Sequence, residues 1–224
     1  MWMYSAISKV YDLLEVLYFR KKERSPREAM IKHIPEGKVK VLDICTGTAT
    51  NNILIAEKRK EAQLYGIDIS KEMLKIADKK ILKKNINNIK NYIMDATNIK
   101  FERETFDIVI VSLVLHEIDD KLASNILNEA KRVLKPNGRI LVLEWEKPNT
   151  LLKNIIFLPI LLLEPKGFKE FIQKDFNKYF SEKDLEIEDI EQCDYSRVFI
   201  IRALKGRGKY EYIRGNKKNN WKYK

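Results

Sequence analysis

Cysteine is almost missing from this sequence of 224 residues, and the two that occur, Cys45 and Cys193, stand far apart. Two separated cysteines supply neither a disulfide framework nor the ligand spacing of a metal site. We therefore expect two reduced thiols, no metal and a cytoplasmic protein.

Long hydrophobic runs are missing as well. The longest apolar stretch without a charged side chain, 154–163, has ten residues, whereas a helix that spans a bilayer needs about 20. Residues 1–9 also lack the basic and then apolar layout of a secretion signal. We expect a protein that is not integral to a membrane.

Acidic residues are in the minority, and the formal net charge is +11. Most of this excess lies in 202–224, where nine basic residues accompany a single acidic one, Glu211. The positive charge is therefore a property of the C-terminal segment rather than of the body. The length fits one domain over 1–204, followed by a basic tail at 205–224.

The apolar residues are arranged as strands that alternate with helices. Spacings of three and four predict a helix at 5–20, and Ser25, Pro26 and Glu28 form the capping signature of a second helix that ends near residue 34. Short apolar runs then predict five strands, at 39–44, 63–69, 89–94, 106–112 and 139–145. Three further helices are predicted at 50–59, 70–84 and 121–134.

Strands that alternate with helices form parallel sheets through right-handed crossovers. After residue 146 the alternation ends, and we predict a mostly helical insert or lid at 147–180. The runs 184–193 and 197–204 predict a final antiparallel pair of strands. The predicted fold class is therefore α/β: a doubly wound, seven-stranded and mostly parallel sheet with helices on both faces, preceded by a helical cap at 1–35.

Two strand ends carry the residue types of an adenosine site. In open α/β sheets, ligands bind beyond the carboxyl ends of the strands. The first strand runs into a turn of small residues around Gly47, and the next helix directs free N–H groups toward anionic ligands. Twenty-one residues later the second strand ends at Asp68, from which a carboxylate can accept hydrogen bonds from ribose hydroxyls. Alone, this loop would also fit a plain strand-to-helix turn, and Asp68 a helix cap.

Further motifs follow in order along the chain. They are 41–48 (VLDICTGT), 66–74 (GIDISKEML), 95–96 (DA), 106–109 (FDIV), 115–116 (LH), 129–138 (EAKRVLKPNG) and 143–145 (LEW). With these motifs the chain resembles the class I S-adenosylmethionine-dependent methyltransferases, most closely their ubiquinone/menaquinone C-methyltransferase-like branch. The resemblance covers about residues 4–150 and implies a Rossmann-like methyltransferase fold.

The resemblance also implies S-adenosyl-L-methionine as cofactor and S-adenosyl-L-homocysteine as product. The residues that it assigns to the cofactor site are Asp43, Cys45, Gly47, Asp68, Ile69, Met73, Asp95, Ala96, Ser112 and Leu113. Asp43 and Gly47 are expected to line the methionine end, and Asp68 to bind the ribose hydroxyls. Asp95 is expected to accept from the adenine amino group, and Ile69 to pack on the adenine ring.

Two residues depart from the family pattern in the first loop. Cys45 and Ala49 stand where glycine is usual. Cysteine at the first of these positions occurs in this branch, whereas Ala49 is small but could weaken cofactor affinity. Ser112 and Leu113 are expected to border the sulfonium pocket through their backbone atoms.

Methyl transfer from a sulfonium is an in-line displacement, so the protein supplies alignment and a dry site rather than a nucleophile. A general base is required only when the acceptor must lose a proton. His116, which follows the fourth strand, is the candidate catalytic base. The alternative is that its ring packs at the strand–loop junction without a proton role. His33 is expected to be structural.

Three aromatic residues are candidates for contacts with the substrate or a lid. Tyr4 and Tyr11 lie on the predicted N-terminal helix, and Trp145 ends the fifth strand. Core packing is the alternative for the two tyrosines.

Three hypotheses describe the acceptor. The first is a small or lipophilic molecule, such as a quinone-like ring, a polyprenyl-linked compound or a lipid headgroup. The branch resemblance supports it, as does the apolar run 151–163, which alternatively forms a buried cap over the sheet. The second is RNA, because 202–224 interleaves aromatic and basic side chains, although no RNA-binding domain is recognisable. The third is a non-catalytic subunit that only binds the cofactor.

The basic tail has two further interpretations. It would attract an anionic membrane surface and make the protein peripheral to the membrane, or it is simply a solvated chain end. We carry the first acceptor hypothesis forward, since the resemblance involves more residues than the tail does.

Overall fold

A computed structural model describes Tyr18, residues 25–164 and residues 167–204 of this chain. The predicted helix at 5–20 lies outside the described residues except for Tyr18, and so does the basic tail at 205–224. Tyr4 and Tyr11 likewise lie outside them.

Seven strands and seven helices make up the described part of the chain. In chain order they are α1 (Pro26–Lys32), β1 (Lys40–Ile44), α2 (Thr50–Lys58), β2 (Gln63–Asp68), α3 (Lys71–Lys83), β3 (Ile89–Ile93), β4 (Phe106–Ser112), α4 (Asp120–Val133), β5 (Leu134–Trp145), α5 (Leu151–Leu163), α6 (Phe168–Phe171), α7 (Phe176–Ser181), β6 (Leu185–Gln192) and β7 (Ser196–Ala203).

All seven strands belong to one sheet with the order β3-β2-β1-β4-β5-β7-β6. The first five strands pair in parallel, and β7 pairs antiparallel with both β5 and β6. The strand order reverses between β1 and β4, which makes the sheet doubly wound. The fold class predicted from the sequence is therefore confirmed, including the final antiparallel pair.

The alternation of side chains along the strands separates two cores, one on each face of the sheet. Leu42 and Val109 point into the larger core, which α4 and the helices of the insert cover. Val41 and Ile108 point to the opposite face, where α1 and α2 pack. Continuous apolar runs such as these are typical of parallel strands buried on both faces.

The start of α1 differs from the prediction. Ser25 is the N-cap residue, but its side chain makes no capping hydrogen bond. Glu28 does not close a capping box either, because its carboxylate pairs with Lys58 of α2. By contrast, the side chain of Ser70 caps α3, accepting from the N–H of Met73 at 3.3 Å.

Strand β5 begins at Leu134, five residues earlier than predicted. The segment 135–138, which lies between the predicted helix and the predicted strand, is part of β5. The pairing of β5 with β4 has an irregularity here, between Phe106 and Ile108. Lys135 holds this segment there by pairing with Asp107 at 2.7 Å. At Gly138 a Cβ atom would lie 2.7 Å from the Asp107 carbonyl oxygen, so only glycine allows this close approach.

The insert between β5 and β6 is helical, as predicted, and consists of α5, α6 and α7. Its aromatic side chains pack on one another and on β7: Phe176 lies 4.9 Å from Phe199 between ring centroids. Within the described residues, every helix is too short or too polar to cross a bilayer.

Candidate functional site

The candidate cofactor residues meet at the carboxyl edge of the sheet. Strands β3, β2, β1 and β4 are parallel neighbours in that order, so the segments that follow them emerge side by side. The site lies at the reversal of strand order between β1 and β4, where ligands bind in doubly wound folds.

The loop after β1 is wound by three residues with a left-handed backbone. Cys45, Gly47 and Ala49 have φ values of 56°, 56° and 59°. Left-handed geometry costs roughly 1–2 kcal/mol for a residue with a side chain, which explains why glycine is usual at these positions. At Gly47 a Cβ atom would meet nothing within 4 Å, so this backbone borders open space.

Asp68, at the end of β2, ties this loop to the next strand. Its Oδ2 accepts from the backbone N–H of Gly47 at 2.8 Å, and its Oδ1 accepts from the N–H of Ser70 at 2.8 Å. Each carboxylate oxygen can accept a second hydrogen bond. Asp68 is therefore held in place and still has the capacity to bind a ribose diol.

Asp43 is fully buried at the end of β1. Its Oδ2 accepts from the Thr46 hydroxyl at 2.7 Å, and its Oδ1 lacks a hydrogen-bond partner of good geometry. Burial raises the pKa of this carboxyl to about 7, although Thr46 and the Arg27 guanidinium oppose the shift. The incompletely satisfied carboxylate suits a cationic group such as an ammonium.

Asp95 and Ile69 form the outer, exposed side of the site. Asp95 Oδ1 accepts from the N–H and the hydroxyl of Thr97, both at 2.8 Å, and these bonds lower the pKa of the carboxyl. Ile69 exposes 75% of its surface despite being apolar. An apolar side chain and an ionised acceptor on one edge suit the face and the amino group of a purine.

Two assigned residues flank this outer side. Ala96 is buried, and Met73 is partly buried in the first turn of α3. The assignment of both residues to the cofactor site stays a prediction.

The end of β4 supplies the inner wall of the site. Leu113 has a left-handed backbone with φ of 54°, and its N–H donates to the Leu143 carbonyl at 2.8 Å. This turn directs the chain away from the sheet immediately after Ser112. That the backbone atoms of Ser112 and Leu113 border the sulfonium pocket stays a prediction.

Cys45 has the surroundings of an unreactive thiol. Burial raises its pKa to about 12, and the nearby Asp68 and Asp43 carboxylates act in the same direction. A thiol with so high a pKa is neutral and a poor nucleophile. Cys45 therefore contributes packing and backbone shape to this loop rather than reactivity.

His116 is buried beyond the end of β4, with its side chain only 1% exposed. Its Nδ1 lies 2.6 Å from Glu144 Oε2, and its Nε2 lies 3.3 Å from Glu164 Oε2. Burial would lower the pKa of His116, but the two carboxylates outweigh it and raise the pKa to about 10. These surroundings favour packing at the strand–loop junction over the role of an open general base.

Trp145 lies in the interior at the end of β5, with 3% of its surface exposed. Its ring meets the rings of Tyr18 and Phe157 edge to face, with centroids 5.8 and 5.9 Å apart. Because Phe157 belongs to α5, this contact fixes α5 to the core. A contact between Trp145 and a substrate would require this aromatic cluster to open.

The other histidine, His33, ends α1 and lies 3.1 Å from Glu191 Oε1. This pair links α1 to β6 and is distant in the topology from the carboxyl edge of β1 and β4.

Two of the three glutamates around His116, Glu144 and Glu164, received no role from the sequence. Glu144 is fully buried, and its Oε1 accepts from the N–H groups of Val114 and Leu115 at 3.2 and 2.8 Å. Glu164 and Glu117 come from the end of α5 and from the β4–α4 loop. A charged residue inside the apolar run 140–145 was the available signal, because buried charges need partners.

Comparisons with known proteins point to one family. The model of the ubiE/COQ5 methyltransferase family matches residues 2–179. The chain is 30% identical over 181 residues to a demethylmenaquinone methyltransferase from Geobacillus sp. (strain WCH70), covering 79% of this chain and 76% of that protein. It is 31% identical over 181 residues to the demethylmenaquinone methyltransferase of Bacillus velezensis, with the same two coverages.

Solved structures show the same fold. A SAM-dependent methyltransferase from Aquifex aeolicus superimposes with a TM-score of 0.68 at 18% identity, covering 88% of this chain and 97% of that chain.

Proposed function

The chain belongs to the ubiE/COQ5 methyltransferase family, and from this membership we propose that it methylates a ring carbon of a reduced, quinone-type acceptor with an apolar tail. The enzyme is a methyltransferase that depends on S-adenosyl-L-methionine. The acceptor is inferred from the curated relatives, which carry the name demethylmenaquinone methyltransferase.

The observation that carries the acceptor class is the exposed apolar face of α5. The side chains on this face are Leu151, Leu152, Ile155, Leu158 and Leu162, each at least 51% exposed. The opposite face is anchored by Phe157 and Ile160, which are fully buried. A stripe of large apolar side chains left in water is typical of a surface that binds a hydrophobic partner.

The position of α5 connects this face to the cofactor site. The helix starts six residues after the end of β5, and Glu164, directly behind its last residue, lies 3.3 Å from His116. The apolar face is therefore anchored beside the carboxyl edge of β4. An acceptor with its ring at that edge can lay an apolar tail along α5.

The chemistry requires the acceptor to be reduced. Bound S-adenosyl-L-methionine supplies an electrophilic methyl group on a sulfonium. A quinone ring is itself electrophilic, whereas its hydroquinone has nucleophilic ring carbons. Transfer to the hydroquinone would form a carbon–carbon bond at the expense of the carbon–sulfur bond, and the ring carbon would lose its proton to solvent as aromaticity is restored.

The described residues serve this reaction by holding and orienting. We assign the ribose to Asp68, the adenine amino group to Asp95 and the methionine ammonium to Asp43. Fixed carboxylates on three neighbouring strand ends align the methyl group without rearrangement during the reaction.

The test uses the purified full chain with methyl-labelled S-adenosyl-L-methionine. It is offered a naphthohydroquinone bearing a prenyl tail, the same ring without the tail, the oxidised quinone, a phospholipid and RNA, each separately. We expect label in the tailed hydroquinone, less in the tailless ring and none in the quinone. Label only in phospholipid or RNA would overturn the proposal, and so would cofactor binding without label in any of them.

A further inference from the structure

We propose that His116, Glu117 and Glu164 bind a divalent transition-metal ion such as Zn²⁺, with Glu144 orienting the imidazole. The ligand atoms are His116 Nε2, Glu117 Oε1 and Glu164 Oε2, which lie within 4.8 Å of one another. The prediction of no metal rested on the cysteines, whereas this cluster uses nitrogen and oxygen ligands. The assignment is independent of which acceptor the enzyme methylates.

The spacing of the donors fits a metal better than it fits a hydrogen bond. His116 Nε2 lies 3.3 Å from Glu164 Oε2 and 4.0 Å from Glu117 Oε1. Two ligands about 2.1 Å from a tetrahedral zinc ion are themselves roughly 3.4 Å apart. A modest movement of the partly exposed Glu117 side chain would bring the third ligand to the same spacing.

Two of the ligand atoms are buried and without a hydrogen bond. His116 Nε2 and Glu164 Oε2 face each other at 3.3 Å without the geometry of a hydrogen bond, and neither has a hydrogen-bond partner elsewhere in the described part of the chain. Their side chains are 1% and 4% exposed. Buried polar atoms are nearly always satisfied in proteins. A metal ion between these two atoms satisfies both at once.

The surroundings of His116 are those of a metal-binding histidine. Its Nδ1 lies 2.6 Å from Glu144 Oε2, which matches the carboxylate–histidine–metal arrangement that fixes ring orientation in metal sites. The rings of Phe168 and Phe171 lie 5.3 and 6.2 Å from the imidazole. This apolar shell excludes water and strengthens the attraction between the ion and its ligands.

The chemistry of the donors also favours a transition metal. Imidazole with carboxylates is a ligand set suited to zinc and neighbouring metals rather than to magnesium. Because zinc binds the neutral imidazole, the ion would take the place of the proton on His116 Nε2.

A bound ion would join three segments that are distant in sequence. His116 and Glu117 belong to the β4–α4 loop, Glu144 to β5, and Glu164 to the end of α5. The loop that begins at Leu113 borders the cofactor site, and its N–H groups at 114 and 115 bond to Glu144. The ion would therefore hold α5 and the inner wall of the cofactor site together.

The test is a zinc titration of the full chain after treatment with a chelator, in competition with a chromophoric zinc indicator. We expect one Zn²⁺ per chain in the wild type and no displacement by excess Mg²⁺. Glu164→Gln, which keeps the shape of the side chain, should weaken zinc binding at least about tenfold. Glu117→Gln, at the partly exposed ligand, provides a second variant if Glu164→Gln does not fold.

The matched control is His33→Gln, because His33, Asp189 and Glu191 form the other group of candidate ligands among the described residues. Zinc binding should be unchanged in this variant. The proposal fails if the wild type binds no stoichiometric zinc, or if His33→Gln loses zinc while Glu164→Gln and Glu117→Gln retain it. Visible absorption of the Co²⁺-loaded protein should report low-symmetry coordination in the wild type and lose this signal in Glu164→Gln.

Discussion

Aspartate stands at three neighbouring strand ends of this sheet, and each copy lies in a different environment. Asp43 is buried, and its pKa is raised to about 7. Asp95 is exposed, and hydrogen bonds from Thr97 lower its pKa. Asp68 is partly buried and bonded to two backbone N–H groups. One residue type therefore provides a cation acceptor, an exposed anion and a rigid bidentate acceptor.

Replacement of Asp68 tests the ribose assignment. Asp68→Ala should weaken S-adenosyl-L-methionine binding by roughly 1–3 kcal/mol, because charged hydrogen bonds to the ligand are lost. Isothermal titration calorimetry measures this loss directly. Asp184→Asn, at an exposed carboxylate directly before β6, is the control and should bind normally. Equal affinities of wild type and Asp68→Ala would contradict the assignment.

The raised pKa of Asp43 predicts that cofactor affinity depends on pH. Only the ionised carboxylate attracts the methionine ammonium, so the dissociation constant should rise roughly tenfold between pH 8 and pH 6. Calorimetry at pH 6, 7 and 8 would show this trend. At pH 8, Asp43→Asn should bind S-adenosyl-L-methionine more weakly than the wild type does. Its dissociation constant should also lack the change between pH 8 and pH 6 that the titration of Asp43 causes.

Protonation of Asp43 should weaken cofactor binding, but it should stabilise the cofactor-free protein. A native pKa above the unfolded value means that the native state binds the extra proton. The contribution of Asp43 to the free energy of unfolding should therefore increase as the pH falls from 7 toward 4. Denaturant unfolding of wild type and Asp43→Asn across this range gives the contribution as a difference. An identical pH slope in both proteins would show that Asp43 does not titrate there.

The left-handed backbone at Leu113 predicts which side chains this position tolerates. A β-branched side chain is a steric outlier at positive φ, so Leu113→Val should destabilise the protein by about 2 kcal/mol and weaken cofactor binding. Leu113→Gly accepts the same backbone conformation and should retain cofactor affinity. Thermal unfolding and calorimetry on the pair separate backbone strain from loss of the side chain. Normal affinity in Leu113→Val would mean that this turn does not shape the pocket.

Sequence patterns predicted these residues to different extents. The aspartates at the strand ends and Gly47 stand in motifs, so their positions were predictable. The left-handed geometry of Cys45 and Ala49 was predictable only from the resemblance, since neither residue type prefers it. The cluster of glutamates around His116 was not predicted, because Glu164 lies in a segment without a motif and reaches His116 only after α5 folds back.

At the scale of elements, α5 combines an anchored face with an exposed one. Phe157 and Ile160 fix the helix to the core, while the residues on its outer face remain in water. Sequence periodicity alone does not distinguish these faces, because nearly every residue of 151–163 is apolar. The buried face matches the interpretation of this run as a buried cap, and the exposed face is the one that we assign to the acceptor.

The two faces predict opposite mutational effects. The double variant Ile155→Ser, Leu158→Ser should raise KM for a tailed hydroquinone but leave KM for the tailless ring and the melting temperature nearly unchanged. Phe157→Ala, on the buried face, should instead destabilise the protein by about 3–5 kcal/mol. Steady-state kinetics with the two acceptors, and thermal unfolding, distinguish these outcomes. Equal effects on both acceptors would argue against a tail-binding face.

Most elements were predictable, and the deviations have local causes. Strands β1 to β4 and the final antiparallel pair begin and end within a residue or two of their predicted bounds. The start of β5 was missed because Pro136 and Gly138 resemble a turn, whereas the Lys135–Asp107 pair holds the segment against β4. The missing capping box on α1 likewise reflects a tertiary contact, the pairing of Glu28 with Lys58.

At the scale of the whole molecule, the sheet is complete at Ala203. All described site residues precede this position. Truncation after Leu204 should therefore leave cofactor affinity and the melting temperature unchanged, whereas truncation after Gln192, which removes β7, should abolish folding. Circular dichroism and calorimetry on the two truncated proteins test this. Loss of cofactor binding in the longer protein would reveal a role for 205–224 that the strand topology does not predict.

Strand β7 is near the end of the described chain, yet it lies inside the sheet between β5 and β6. Its Val198 and Ile200 pack in the same core as Met30 of the first described helix. During synthesis the residues that complete this core therefore leave the ribosome after its other members. Until then the unpaired edge of β5 is exposed to other nascent chains. We expect the sheet to fold only after β7 has been made, and to depend on chaperones more than a sheet built in chain order would.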